Sequence, residues 1–350
     1  TKILGFGRVI GPYYFVPNTH FGHRLPVMWD DVAPRKVNEP SWSGTLQKVS
    51  PERFEELRQS ELDEDGGKKE TIELNPEYSV EELADDTGFP LERVERWLSA
   101  LDRKKQAVFY GPPGTGKTFL ADKIGKHLIG GTDGFMQVVQ FHPEYAYQEF
   151  MQGIRPATGD DGSLQFKNTP GVFLKFCAKA EVCRGRCILV VDEINRANLS
   201  RVFGELMYLL EYRNETVELA GGGHFSIPEN VRIIGTMNTA DRSIALVDYA
   251  LRRRFAFMRL SPDYEVLTKS HADASFDVSG LIDVLKELNL QIGDPHYEVG
   301  ISFFLVDNLE DEIEDIWRME IEPYLEEYFF DNLSKAEQFA WDNVKEKILG

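Results

Sequence analysis

The 350-residue chain is poor in cysteine, has no long apolar run and carries no excess of positive charge. Its three cysteines, Cys177, Cys183 and Cys187, are odd in number and crowd into one region. No histidines flank them at zinc-ligand spacing, so neither a disulfide framework nor a zinc site is expected. They read as reduced structural residues, which predicts a cytoplasmic protein. No stretch approaches the ~18 apolar residues of a membrane helix and no secretory leader opens the chain, so no membrane partner is expected. A formal net charge of −19 argues against a protein that coats nucleic acid indiscriminately. It leaves room for contact through a local basic surface or a separate domain. Arginine nearly vanishes late in the chain: between Asp263 and Gly350 only Arg318 occurs.

What is present is an ordinary globular composition, 42% hydrophobic and 28% charged, long enough for two or three domains. The most specific stretch is Gly111-Pro112-Pro113-Gly114-Thr115-Gly116-Lys117-Thr118, directly after the apolar run Ala107–Tyr110. It fits G-x-x-x-x-G-K-S/T in the required strand-then-helix setting. Its glycines let backbone N–H groups turn inward around phosphate oxygens, and the helix starting at Lys117 adds its positive end. Lys117 then reaches the β- and γ-phosphates, and Thr118 binds Mg²⁺.

A second stretch, Cys187-Ile-Leu-Val-Val-Asp192-Glu193, reads as a strand buried on both faces that ends in two acids. Asp192 is placed to hold the Mg²⁺ shell and Glu193 to polarise the attacking water. A third, Val231 to Asn238, is another strand with a polar end; Asn238 is placed to bond a γ-phosphate or orient water. Ligands of open α/β sheets lie off the carboxyl ends of the strands, so three such ends form one candidate site.

These residues resemble an AAA+ module. Asp192 to Asn198 (DEINRAN), Gly235 to Ser243 (GTMNTADRS) and Asp248 to Phe257 (DYALRRRFAF) narrow the resemblance to the McrB group. The resemblance spans roughly residues 77–304 and implies a GTP-driven motor subunit of a modification-dependent DNA restriction system. It implies a self-assembled ring, a hexamer in expectation, with Mg²⁺ and GTP or ATP, and a separate McrC-like nuclease subunit. By position, Asn238 is similar to the first sensor, and Asp241 and Arg242 belong to a loop peculiar to the group. Arg253 resembles the finger that reaches a neighbour's nucleotide, with Arg254 and Arg196 as further candidates. The bland reading of Arg252-Arg253-Arg254 is a basic helix end complementing the macrodipole. A G-x-R second sensor is missing. Val299 to Phe304 (VGISFF) resembles the lid motif that stands there, with Ile301 where the group often has His.

The expected fold is α/β: a five-stranded parallel sheet with flanking helices, an α-helical lid, and a partial β-rich domain in front. Residues 1–62 carry short strand signals. GFGRVIGPYYF and HRLPVMW resemble the C-terminal part of EVE-like domains, relatives of the YTH fold, which implies a reader of modified DNA bases. The chain opens inside a strand-like pattern, which predicts a truncated first domain. Trp29 and Trp42 are candidates for stacking on a flipped base or for the domain core. Residues 63–76 read as a linker, 77–262 as the nucleotide-binding domain with a leading helix pair, and 263–350 as the lid. Asp307–Asp331 holds eleven acids and one base, with Ile313, Ile316, Trp317, Ile321, Tyr324, Leu325 and Tyr328 at helical spacing. That pattern predicts a lid helix with its acids in water; a docking surface for a basic partner is the alternative. Hairpins are expected around residues 158–162 and 221–223. A rival reading from another class is an AAA+ remodeller or switch that acts on protein partners without DNA.

Overall fold

A computed structural model describes residues 74–350 except 159–163, 241–248 and 275, together with residues 50–59 and six short strands between residues 2 and 36. The chain divides into two compact units, residues 1–73 with 222–224, and the remainder.

In the first unit, Phe6–Val9 pairs antiparallel with Val27–Asp31, Lys2–Ile3 with Arg35–Lys36, and Tyr14–Phe15 with His23–Arg24. The helix Pro51–Arg58 begins at a proline, whose fixed φ and missing N–H suit the first helical position. Phe6 is buried and meets the Phe54 ring edge-on at 5.4 Å. The Trp29 side chain and Trp42 lie outside the described residues.

The second unit is built on five parallel strands: β1 (Gln106–Gly111), β2 (Met136–Gln140), β3 (Cys187–Asp192), β4 (Val231–Asn238) and β5 (Ala256–Arg259), in spatial order β5-β1-β4-β3-β2. The central strands are mostly apolar, with Gln106, Arg232 and Thr236 as buried polar exceptions, because helices cover both faces. Alternation along β3 shows it: Ile188 and Val190 join the core with Leu120 and Ile124, while Leu189 and Val191 join that of Phe173 and Phe203. β2 lies at the sheet edge, with Val138 56% exposed and Phe141 buried just beyond its end.

The leading helix pair is α1 (Val80–Thr87) and α2 (Leu91–Lys104). Ser79 caps α1 in a capping box: its Oγ accepts from Glu82 N at 3.1 Å, and Glu82 Oε2 accepts from Ser79 N at 2.7 Å. Trp97 of α2 wedges edge-on between Phe89 and Phe109. Residues 74–76, read as linker, are instead tied to this unit. Asn75 donates from Nδ2 to Thr132 O at 2.8 Å and Gly134 O at 2.7 Å. Helix α3 (Lys117–Ile129) follows the glycine-rich loop.

The first expected hairpin is present as Gln152–Thr158 paired with Leu164–Pro170. Short strands at Val217–Glu218 and His224–Phe225 flank the second glycine cluster. The lid comprises helices Tyr264–Ser270, Ser279–Ile292, Leu309–Ile316, Glu322–Tyr328, Leu333–Glu337 and Trp341–Leu349. A wider π-turn, Trp317–Ile321, interrupts the acidic helix. Pro323 just downstream offers no N–H to close the regular ladder. Ile313, Trp317, Ile321 and Leu325 are buried in the lid core, and the acids lie on the other face. Among the described residues no helix is long and apolar enough to cross a membrane.

Candidate active site

The sequence places the glycine-rich loop between β1 and α3, at the carboxyl end of the sheet's second strand. Gly114 and Gly116 have φ of +74° and +76°, conformations that require glycine here. Lys117, 7% exposed, folds back over the loop and donates to Pro112 O at 2.7 Å. Burial pushes its ammonium pKa down to about 8, with Glu193 and then Asp192 acting in the opposite direction. Thr115 is held by its hydroxyl on Pro112 O at 2.9 Å.

β3 and β4 deliver the polar groups opposite that loop. Thr118 Oγ1 donates to Asp192 Oδ1 at 2.9 Å, so the loop hydroxyl and the acidic strand end are in direct contact. Asn238 Nδ2 donates to Glu193 Oε1. Arg196 Nε lies 3.3 Å from the other Glu193 oxygen. Glu193 itself takes the left-handed region at φ 52°, rare for a side chain of this size, and such strain gathers at functional sites. The backbone turn aims its carboxylate at the end of β4 and not along β3.

Two groups in this network were not singled out from sequence. Thr236 Oγ1 donates to Asp192 Oδ1 at 2.5 Å and accepts from Glu193 N at 3.2 Å, fixing both acids. Asn195 Nδ2 donates to Asn238 O at 3.1 Å. Strand alternation was the available signal for Thr236, which shares a face of β4 with Asn238.

The lid closes on the loop. Ser302 N donates to Gly114 O at 2.8 Å, and a Cβ on Gly114 would lie 2.4 Å from the Phe303 ring. A Cβ on Gly300 would lie 2.0 Å from both the carbonyl carbon and oxygen of Gly114. Ile301 is buried in the lid core, so its side chain offers no polar group there. Asp241 and Arg242 lie outside the described residues.

Arg253 and Arg254 stand elsewhere. They precede β5, at the amino ends of the strands, and both pair with one Glu211 oxygen, at 2.8 and 3.0 Å. Arg253 is mostly exposed and Arg254 mostly buried. Strand β1 alone separates the two ends by about 17 Å. The structure therefore brings Lys117, Thr118, Asp192, Glu193, Asn238 and Arg196 together and leaves Arg253 and Arg254 on the opposite side.

Residues 106–255 match the AAA domain of the dynein-related subfamily, and residues 280–337 match the McrB alpha-helical lid domain. The chain is 39% identical over 303 residues to the type IV methyl-directed restriction enzyme EcoKMcrB subunit of Escherichia coli K12. Together these matches support an McrB-type AAA+ module. That alignment covers 78% of this chain and 63% of the Escherichia coli protein. A second relative is the type II restriction enzyme BsuMI component YdiS of Bacillus subtilis 168, 29% identical over 194 residues, covering 44% of this chain and 56% of that one. The chain thus spans less than two-thirds of the length of either of these two relatives. The McrB-type lid match includes the Val299–Phe304 segment that docks on the P-loop.

Proposed function

We propose that this chain is the nucleotide-hydrolysing motor of a modification-dependent DNA restriction system. One observation carries the reading: at the mouth of a P-loop Asp192 is bonded to the loop hydroxyl of Thr118, Glu193 is bonded to Asn238, and Thr236 bonds to both acids. Lys117 and the loop N–H groups bind the phosphates. Thr118 Oγ1 and Asp192 Oδ1 stand in contact at 2.9 Å beside the loop, an oxygen pair of the kind that holds Mg²⁺ together with waters and the substrate's own phosphates. Thr118 and Asp192 would hold the ion, which when bound would supply charge neutralisation for the transferring phosphoryl group. Glu193 orients water, and Asn238 and Arg196 hold its carboxylate in place.

Arg253 serves a neighbouring copy, because its own P-loop lies at the other end of the sheet. Arg254 is the anchored member of the pair, and Asp241 and Arg242 act in the loop between sensor and finger. The copies form a ring, a hexamer in our reading, working in the cytoplasm with GTP favoured over ATP. Cutting falls to an McrC-like nuclease subunit, in keeping with relatives named as restriction enzyme components. Modified DNA is read by residues 1–62 as an EVE-like domain, joined through a linker from residue 63 to the motor at 77–262 and the lid at 263–350.

The test is Glu193→Gln. It keeps the shape and removes the charge that orients water. Nucleotide affinity should stay within about threefold, while turnover falls by at least about 10²-fold, the size expected for losing a general-base group. Equal turnover by both proteins would overturn the assignment.

A further inference from the structure

A cavity of about 610 Å³ opens at the amino end of the sheet, away from the P-loop. Arg103, Lys104, Lys105, Arg213, Arg253 and Arg254 line it. Three acids, Glu211, Glu215 and Glu229, share the lining. Glu211 is already taken by Arg253 and Arg254. Among the described residues, Arg103, Lys104, Lys105 and Arg213 have no carboxylate at ion-pair distance. The chain as a whole carries −19, so this concentration of unpaired cations runs against its composition.

Arg103 and Lys104 have a plain explanation, since cations in the last turn of α2 complement its dipole. Arg213 does not. It comes from a different part of the chain, and its hydrogen bonds go to Gln106 Oε1 at 2.8 Å and Lys105 O at 3.4 Å, both neutral. Burial first, and Arg232 next, hold its guanidinium below the usual arginine range, at about 10. Lys105 is lowered as well, by burial and then by Arg232. A largely buried guanidinium without a counter-charge is costly unless an anion supplies one. The cavity also has the volume of a small-molecule site, several times that of a single carboxylate. Two guanidinium forks with two ammonium groups are the donor set that recognises phosphate oxygens.

We propose that this cavity is a second phosphate-binding site, separate from the P-loop, which takes a short polyphosphate: the tail of a free nucleotide or an inorganic polyphosphate. All of the lining comes from one chain, and with Arg253 and Arg254 held by Glu211 the site is carried by Arg103, Lys105 and Arg213. It does not rest on the role proposed for the P-loop.

The experiment uses the full chain carrying Lys117→Ala, which removes the P-loop lysine from every copy, neighbours included. Tripolyphosphate and then GTP are titrated calorimetrically. Saturable binding of tripolyphosphate, one per chain, is expected. Adding Arg103→Ala with Lys105→Gly should weaken it at least tenfold. Lys105 sits at φ 65° as the cap of α2, where glycine is favoured, and its backbone bonds to Leu101 O and Ile233 N survive the change. The pair of substitutions therefore removes charge and leaves the fold, which an unchanged melting temperature checks. In a chain with Lys117 intact, the same pair should leave P-loop affinity unchanged. GTP binding alongside tripolyphosphate assigns the site to nucleotide tails; tripolyphosphate alone assigns it to inorganic polyphosphate. No saturable tripolyphosphate binding to the Lys117→Ala chain, or binding indifferent to Arg103 and Lys105, would overturn the proposal.

Discussion

The two ends of the central sheet differ in how their charges are satisfied. At the carboxyl end, Asp192, Glu193, Thr118, Thr236 and Asn238 bond to one another, and Arg196 pairs with Glu193. At the amino end, cations crowd around the single carboxylate that pairs with Arg253 and Arg254. Each end also holds one of the two non-glycine residues with positive φ among the described residues, Glu193 and Lys105. A network that closes on itself is pre-organised, ready for a ligand that replaces a few of its bonds. A cluster in which six cations outnumber three carboxylates is incomplete and draws further counter-charge from outside. The comparison teaches that the carboxyl end carries a site and the amino end calls for a visitor.

The sharpest way to break the first half is Gly300→Ala. The new Cβ would meet Gly114 backbone, which no rotamer change relieves. Either the lid leaves the loop or the loop deforms, at upwards of about 3 kcal/mol. Nucleotide affinity, read by fluorescent-analogue titration, should fall about 100-fold. Wild-type affinity would show that lid docking on Gly114 does not support the phosphate cradle.

A smaller effect concerns the base. The P-loop reads phosphates only. Base choice then falls to residues packed near it, the α1–α2 pair and the lid around Val299. Guanine offers an acceptor where adenine offers a donor, and a mismatch leaves a buried group unpaired at about 1–3 kcal/mol. Competition against a fluorescent GDP analogue should favour GTP over ATP by at least about tenfold. Equal displacement would remove the GTP preference and leave the AAA+ assignment standing.

Most of the carboxyl end was legible in sequence, for physical reasons. A strand buried on both faces must be an apolar run, so β1, β3 and β4 stand out. A phosphate cradle needs glycines at fixed spacing. The acids and Asn238 then follow from position at the strand ends. Thr236 was harder to see because a threonine inside a strand looks like ordinary β-propensity. β2 is hard to place from sequence, because Val138-Val139 is as apolar as a central strand while the strand lies at the sheet edge with Val138 exposed. The amino end was nearly illegible. Glu211 meets Arg253 across 42 residues, and Arg213 meets Gln106 across 107, so no local pattern announces either.

The smallest effect is a proton. Phosphate favours the charged form of Lys117, whose folded-state pKa is pushed down to about 8 in the ligand-free chain. The ammonium is therefore fully charged well below pH 8 and loses its proton as pH rises through that value. Nucleotide binding should take up about half a proton at pH 8, more at pH 8.5 and almost none at pH 6.5. Binding enthalpies in buffers of different ionisation heat read this directly. Buffer-independent enthalpy at pH 8.5 would show that Lys117 is fully charged before nucleotide arrives.

The central claim is that the amino end of one chain serves the carboxyl end of another. Mixing two inactive proteins tests it most directly. Lys117→Ala lacks the cradle and keeps the finger; Arg253→Ala lacks the finger and keeps the cradle. Interfaces between the two contain one good half of each. The account predicts that each protein alone hydrolyses nucleotide at background rate, that the mixture recovers a measurable fraction of wild-type turnover, and that recovery rises with protein concentration. A mixture no more active than its components, with wild-type turnover per chain independent of concentration, would contradict it.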